Sequence, residues 1–323
     1  MLCMVRPSLV RYRFDKDELR RFHTALRLPD FIHTSNGGRQ PSEKALLVLL
    51  ARYTMCERRL TDMEARSGLE YSQISRLFNA TLECMDETKT LPLLLTNGLA
   101  AFVERFELYN TKILDKYRAL NGVAVVPPMW TSVCGFIDGK RLKIARPSNA
   151  DVQYATYSRY ITCNSMHSLL AVLPDGMVPL LTPGCGGRRH EAMLQRINQI
   201  NDRMVAAQAG KPRLLGLATD KGFYREACIH PMPRGANLPP ALMLASAQMS
   251  PLRWINEAAI GRVSNEWPLV DSKKLSKTGA VNVSRLYRVA VFLSNCRTCL
   301  RGSAASQFFD CRPPSIEEYL GCV

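Results

Sequence analysis

Hydrophobic and polar positions divide the chain into halves of different periodicity. In the first half, apolar residues recur every three or four positions, the spacing of an amphipathic helix. Residues 15–28 carry Leu19, Phe22, Leu26 and Leu28 among Arg20, Arg21 and Arg27, and Pro29 ends the run. After the loop Ser35-Asn36-Gly37-Gly38, the triplet Pro41-Ser42-Glu43 opens a helix over 45–55 that is apolar on most sides, which predicts burial. A short helix over 62–67 follows, with Thr61 and Glu64 at capping-box spacing. Gly68 ends it, and Tyr71-Ser72 begins a second helix. There Ile74, Leu77, Phe78, Thr81, Leu82 and Met85 form one mainly apolar face. The helical pattern resumes over 91–120, stops at Asn121-Gly122, and gives way to a linker at 123–128.

The second half reads as short apolar strands at 132–138, 141–145, 168–173 and 177–182. The first two are joined by Asp138-Gly139 and the last two by Pro174-Asp175-Gly176, a hairpin signal. A glycine-rich loop over 183–187 then leads to a helix at 190–207. Another strand, 214–218, ends in Thr219-Asp220-Lys221-Gly222, and a proline-bearing coil precedes a helix at 251–267. Antiparallel strands, helix, strand and helix in that order predict an α/β fold: an RNase H-like mixed sheet flanked by helices. An all-α, helix-turn-helix-like domain precedes it. The division expected is 1–125 for the helical domain and 126–323 for the RNase H-like domain with a C-terminal extension, the boundary lying near 122–130.

Composition narrows the class. A chain of 323 residues with 46% hydrophobic and 22% charged residues is that of a soluble globular protein. Lys and Arg number 43 against 28 Asp and Glu, a net charge of +15. Such an excess favours a polyanionic partner, nucleic acid above all, although an acidic membrane surface leaves the same signature. The eleven cysteines are scattered, which suggests reduced thiols in the cytosol or nucleus. Arg6, Pro7, Arg11 and Arg13 break the start, so no secretory segment is expected, and apolar runs such as 45–51 are too short to span a membrane.

Three acids carry the candidate chemistry. Asp138 and Asp220 each follow an apolar run and each precede a glycine within two residues. Glu257 shares a helical stripe with Arg253 and Gly261, separate from the apolar stripe of Leu252, Ile255, Ala259 and Val263. Each acid also has an ordinary reading, Asp138 as the start of a turn and Glu257 as the partner of Arg253 on a solvated helix face. If the three meet, hard oxygen ligands select Mg²⁺ or Mn²⁺, and two such ions suit phosphodiester chemistry. Glu191 is a candidate fourth metal ligand.

Basic and polar residues nearby are candidates for DNA contact, each set with a solvated-surface alternative. Arg188, Arg189 and His190 follow the glycine-rich loop and could hold a phosphate. Gln73, Arg76 and Asn79 face away from the apolar side of their helix, as residues reading base edges would, or as the outer face of a plain helical hairpin does. Arg253 would contribute beside Glu257, and Lys273 and Lys274 form a short basic cluster. Cys296 and Cys299, with Cys311 beyond, lack the second pair of a zinc site, and core packing is the reading adopted.

The motifs Gly135-Phe-Ile-Asp-Gly139, Gly187-Arg-Arg-His190, Asp220-Lys-Gly-Phe223 and Arg234-Gly-Ala-Asn237 occur in order. So do Met249-Ser250 with Arg253 and Glu257, Trp267, Asp271-Ser-Lys-Lys274, Asn295-Cys296, Cys299, Gly302, Cys311 and Pro313-Pro-Ser through Glu317-Glu-Tyr-Leu320. In this order the chain resembles Harbinger/PIF-type transposases, DDE-superfamily endonucleases, over nearly its whole length. The resemblance implies Asp138, Asp220 and Glu257 as catalytic metal ligands, with two Mg²⁺ or Mn²⁺ ions. It implies cleavage and transfer of double-stranded DNA at transposon ends and target, often with a separate Myb-like DNA-binding partner; that function would place the chain in the nucleus, with the cytoplasm and a homo-oligomer as open alternatives. Departures exist. Ala258-Ala259 follow Glu257 where the family carries an aromatic residue and glycine, and Glu191 replaces an Asp. They give the alternative expectation of a catalytically inactive, transposase-derived DNA-binding protein.

Overall fold

The computed structural model of the chain describes residues 12–54, 60–272, 276–277 and 282–321. Helix α1 (Lys16–Leu26) starts at Asp15, whose side chain accepts from the Asp17 and Glu18 N–H groups while Glu18 answers the Asp15 N–H. A hairpin of β1 (Phe31–His33) and β2 (Arg39–Pro41) leads to α2 (Ser42–Thr54), which is buried along most of its length. Helices α3 (Thr61–Ser67) and α4 (Tyr71–Met85) are joined through Gly68, which takes the left-handed conformation that closes α3. All six residues of the expected apolar face of α4 are buried.

The cap lies elsewhere than the Thr61–Glu64 spacing predicts. Glu64 reaches forward to accept from the Tyr71 N–H at 2.6 Å, and the reciprocal pair at the start of α4 is Glu70 with Gln73. The helix expected over 91–120 is also divided. A π-type segment (Asp86–Thr96) holds Pro92, which cannot donate to the helical ladder; α5 (Gly98–Phe102) and α6 (Phe106–Asn121) follow it.

The second half supplies β3 (Val133–Lys143), α7 (Ala150–Thr156), β4 (Tyr157–Ser158), β5 (Cys163–Val172), β6 (Leu180–Leu181) and β7 (Cys185–Gly186). Then come α8 (Glu191–Ile197), α9 (Ile200–Ala207), β8 (Gly216–Thr219), β9 (Ile229–Pro231), α10 (Pro240–Glu266), α11 (Val283–Arg301), α12 (Ala304–Phe308) and α13 (Ile316–Gly321). The main sheet has the order β4-β5-β3-β8-β9, with β6 and β7 also pairing with β5. β3 runs antiparallel to β5 and parallel to β8, and β8 parallel to β9. This α/β architecture, a curled mixed sheet flanked by helices, is compatible with a DDE nuclease fold.

One strand replaces two of those expected. The chain does not turn at Asp138-Gly139; β3 continues to Lys143, with Gly139 opposite Leu169 in the ladder. Gly139 serves close approach instead, since a Cβ there would stand 2.6 Å from His167 Nε2 and 3.0 Å from Glu191 Oε1. The hairpin expected at Pro174-Asp175-Gly176 is present, closed by hydrogen bonds between Leu173 and both Gly176 and Met177. The helix expected at 190–207 breaks into α8 and α9 at Gln199, and α10 begins at Pro240, well before Pro251.

Buried side chains from Phe14 to Leu320 form one continuous cluster. α11 runs through it, burying Leu286, Val289, Ala290, Val291, Phe292, Leu293 and Cys296. From the same helix Arg285 and Arg288 close on the buried Asp86 carboxylate, tying it to the π-type segment. No helix among the described residues is long and apolar enough to cross a membrane.

Candidate active site

Strand register brings two of the acids side by side. Phe136 pairs with Ala218 across parallel strands β3 and β8, so Asp138 and Asp220, each two residues further on, reach the same level on the same face. Asp138 Oδ1 accepts from the Gly139 N–H at 2.7 Å, and Asp220 Oδ1 from the Gly222 N–H at 2.7 Å. These bonds orient both carboxylates. Burial pushes the Asp138 carboxyl above its ordinary range. The Gly139 N–H and the Arg253 guanidinium oppose that rise, while Asp220 and Glu191 add to it.

Helix α10 delivers the third acid. Leu252, Ile255, Ala259 and Val263 are buried as their spacing predicts, which turns Arg253 and Glu257 away from the core. Both line the same cleft as Asp138 and Asp220, a depression of about 1020 Å³. Arg253 Nε is buried without a hydrogen-bond partner.

Glu191 joins from the first turn of α8 and also lines the cleft. Its Oε1 lies 3.1 Å from Arg141 Nη2 and 3.3 Å from His167 Nε2. Arg141 and His167 face each other in the β3–β5 ladder, so the strand pairing brings both side chains to the Glu191 carboxylate. His167 Nδ1 donates to the Arg189 carbonyl at 2.8 Å, which fastens the 187–190 loop to the sheet. Burial works against ionising Glu191, yet the His167 contact, its own backbone N–H and Arg141 outweigh it and hold the carboxyl at about 2.

The donor set suits a hard divalent cation. Carboxylate oxygens from Asp138, Asp220 and Glu257 line one cleft, the ligand type that hard divalent cations take. Among the described residues, no three acid, histidine or cysteine side chains already converge closely enough to hold a metal ion. The acids thus share a cleft without forming a closed cage.

The remaining candidates are spread out. Arg188 and His190 line the cleft, whereas Arg189 contributes its backbone carbonyl to His167. On α4, Gln73 caps the helix start at the Glu70 N–H, Arg76 donates to Ser72 Oγ at 3.1 Å, and Asn79 is exposed. Lys273 and Lys274 lie outside the described residues. Cys296 is fully buried and its thiol pushed well up by burial, consistent with packing. Not assigned to the site from the sequence are Arg141 and His167, whose meeting depends on cross-strand register, and three tyrosines that line the cleft, Tyr154, Tyr157 and Tyr160. The last two fall in the stretch 157–164, where the resembled family carries more basic residues and histidines. The tyrosines' spacing of three beside Arg159 was the available signal.

Residues 137–295 match a protein-family model described as DDE superfamily endonuclease. Comparison with curated proteins and with solved structures finds no match to the chain. The matched segment contains Asp138, Glu191, Asp220 and Glu257. It suggests nuclease or transposase function for this part of the chain, with DNA as the substrate.

Proposed function

We propose that the chain is a metal-dependent DNA endonuclease and transposase of the Harbinger type, acting in the nucleus on double-stranded DNA. One observation supports this most: Asp138, Asp220 and Glu257, from three separated stretches of the matched region, line a single cleft. Asp138, Asp220 and Glu257 are the residues that would hold Mg²⁺ or Mn²⁺, two ions in all. Such ions, when bound, supply Lewis acidity to phosphodiester oxygens and acidify water.

The protein's own groups have distinct tasks. Arg253 offsets the charge of the half-buried Asp138, and Arg188 and His190 at the rim supply donors for a backbone phosphate. Glu191 is assigned a positioning role, because Arg141 and His167 already engage its carboxylate. Through that contact the 187–190 loop is held beside Asp138. The α3–α4 pair, with Asn79 exposed, supplies a helix-turn-helix contact to duplex DNA, and a Myb-like partner and self-association complete the assembly.

The test is Mg²⁺- or Mn²⁺-dependent nicking of supercoiled plasmid. Wild-type protein should nick it, chelation should stop the reaction, and Asp138→Ala should lower the rate at least about a hundredfold while retaining DNA binding. Nicking by Asp138→Ala at the wild-type rate removes Asp138 from the mechanism. Metal-independent DNA binding with no nicking by wild type supports the second reading, a transposase-derived DNA-binding protein. That reading draws on the open arrangement of the acids and on Ala258-Ala259 after Glu257.

A further inference from the structure

We propose that the cleft mouth is a stacking platform for an unpaired nucleotide of the DNA strand, built from Tyr154 and Tyr160 with Arg188 and Arg141 behind them. The proposal rests on the nuclease reading and specifies the form of DNA that its cleft takes. Tyr154 is 67% exposed and Tyr160 85% exposed, although both line a concave cleft that also holds the carboxylates. Large rings left bare at a polar site make little sense as packing; they offer flat apolar faces to a ligand. The Arg188 guanidinium lies 4.0 Å from the Tyr154 ring centre and that of Arg141 5.3 Å from the Tyr160 ring centre.

The rings stand on a fixed scaffold. Asn149 caps α7 by accepting from the Val152 N–H, and Asn164 of β5 donates to Gln153 O and Thr156 Oγ1, each at 2.9 Å. On the other side Gly186 has no side chain, and the Ala155 carbonyl occupies the space a Cβ would need. Helix α7 is thereby fastened to β5 and β7 with Tyr154 facing out. Tyr160 sits in the turn between β4 and β5, whose ladder pairs Tyr157 with Asn164 and Ser158 with Cys163.

Aromatic faces interleaved with arginines fit one ligand chemistry best. A base stacks on a ring whatever its identity, and the flanking phosphates meet guanidinium groups. A base inside a duplex has both faces covered by its neighbours, so only a nucleotide that has left the stack can use the platform. The cleft volume of about 1020 Å³ is at the upper end of clefts that enclose small molecules, roughly 300–1,000 Å³. An unpaired nucleotide held here would place its phosphate between Arg188 and the carboxylates.

The test compares two DNAs by fluorescence anisotropy, without divalent metal: a blunt duplex, and the same duplex ending in a few unpaired nucleotides. Wild-type protein should bind the splayed end about tenfold more tightly. Tyr154→Ala and Tyr160→Ala should each reduce that preference severalfold, and Tyr160→Trp should keep it. A fluorescent adenine analogue at the unpaired position should be quenched by wild type and less so by the alanine variants. Both tyrosines are exposed, so loss of folding would not mimic the result, and thermal midpoints check this. Equal wild-type affinity for the two DNAs overturns the proposal. So does a preference untouched by either alanine, which would assign the rings to a protein contact. Duplex binding and metal-dependent nicking without a splayed-end preference sink the platform alone; failure to bind or nick any DNA sinks the nuclease reading with it.

Discussion

A carboxylate taken out of water must find donors or give up its charge, and two aspartates of this chain meet that requirement differently. Asp138 stays part-buried, and that burial first, then Asp220 and Glu191, raises its proton affinity against the Gly139 N–H and Arg253. Asp175 is wholly buried in the turn between β5 and β6. Tyr109 Oη donates to it at 2.5 Å and the Met177 N–H at 3.0 Å, and Arg105 lies 3.7 Å away. Burial still pushes its carboxyl up from 3.8 to about 6, against those three groups. Because the folded value exceeds the unfolded one, its contribution to stability is greatest below pH 3.8, falls as pH rises toward 6, and is level above. Wild type should therefore lose about 2 kcal/mol relative to Asp175→Asn between pH 4 and pH 7. Urea denaturation across that range measures it, and parallel pH profiles for the two proteins would count against the assignment. Little of this was legible in the chain. Pro174-Asp175-Gly176 announced a turn, but the partners Tyr109 and Arg105 come from the helical half. In the same way, Arg141 and His167 around Glu191 are set by a strand pairing that local spacing does not encode.

Among the elements, strongly patterned ones were readable and interruptions were not. The buried faces of α4 and α10 match their apolar spacing residue by residue. The Asp138-Gly139 pattern predicts a turn that ends β3 there, whereas the missing side chain of Gly139 makes room for His167 and Glu191 within a continuous strand. The break between α8 and α9 was hidden because Leu194, Ile197, Ile200 and Met204 keep a near-helical spacing across it. At that break Gln199 holds φ 48°, a left-handed conformation that disfavours a side chain. Glycine would relieve that strain while adding some unfolded-state entropy. Gln199→Gly should stabilise the fold by about 0.5–1 kcal/mol, seen as a higher urea midpoint. A lower midpoint would show that the Gln199 side chain contributes more than its backbone costs.

Across the whole molecule, the chain carries a net charge of +15, and its cleft sets Asp138, Glu191, Asp220 and Glu257 among Arg141, Arg159, Arg188 and Arg253. That arrangement suits a protein that attracts a polyanion broadly and neutralises one phosphate locally. The apolar runs that end in Asp138 and Asp220 were legible, but the single strand β3 and its parallel pairing with β8, which set the two acids side by side, were not. Glu257 stood on a stripe apart from the apolar face of its helix in the sequence, and the structure turns that stripe toward the same cleft. Whether these acids act together is a question of cation binding before it is one of catalysis. Mn²⁺ titration followed by its electron paramagnetic resonance signal addresses it, on wild type, Asp138→Asn, Asp220→Asn and Glu257→Gln. Each single substitution should weaken Mn²⁺ binding at least about tenfold while the fold is retained; wild-type affinity in Glu257→Gln would contradict a shared site.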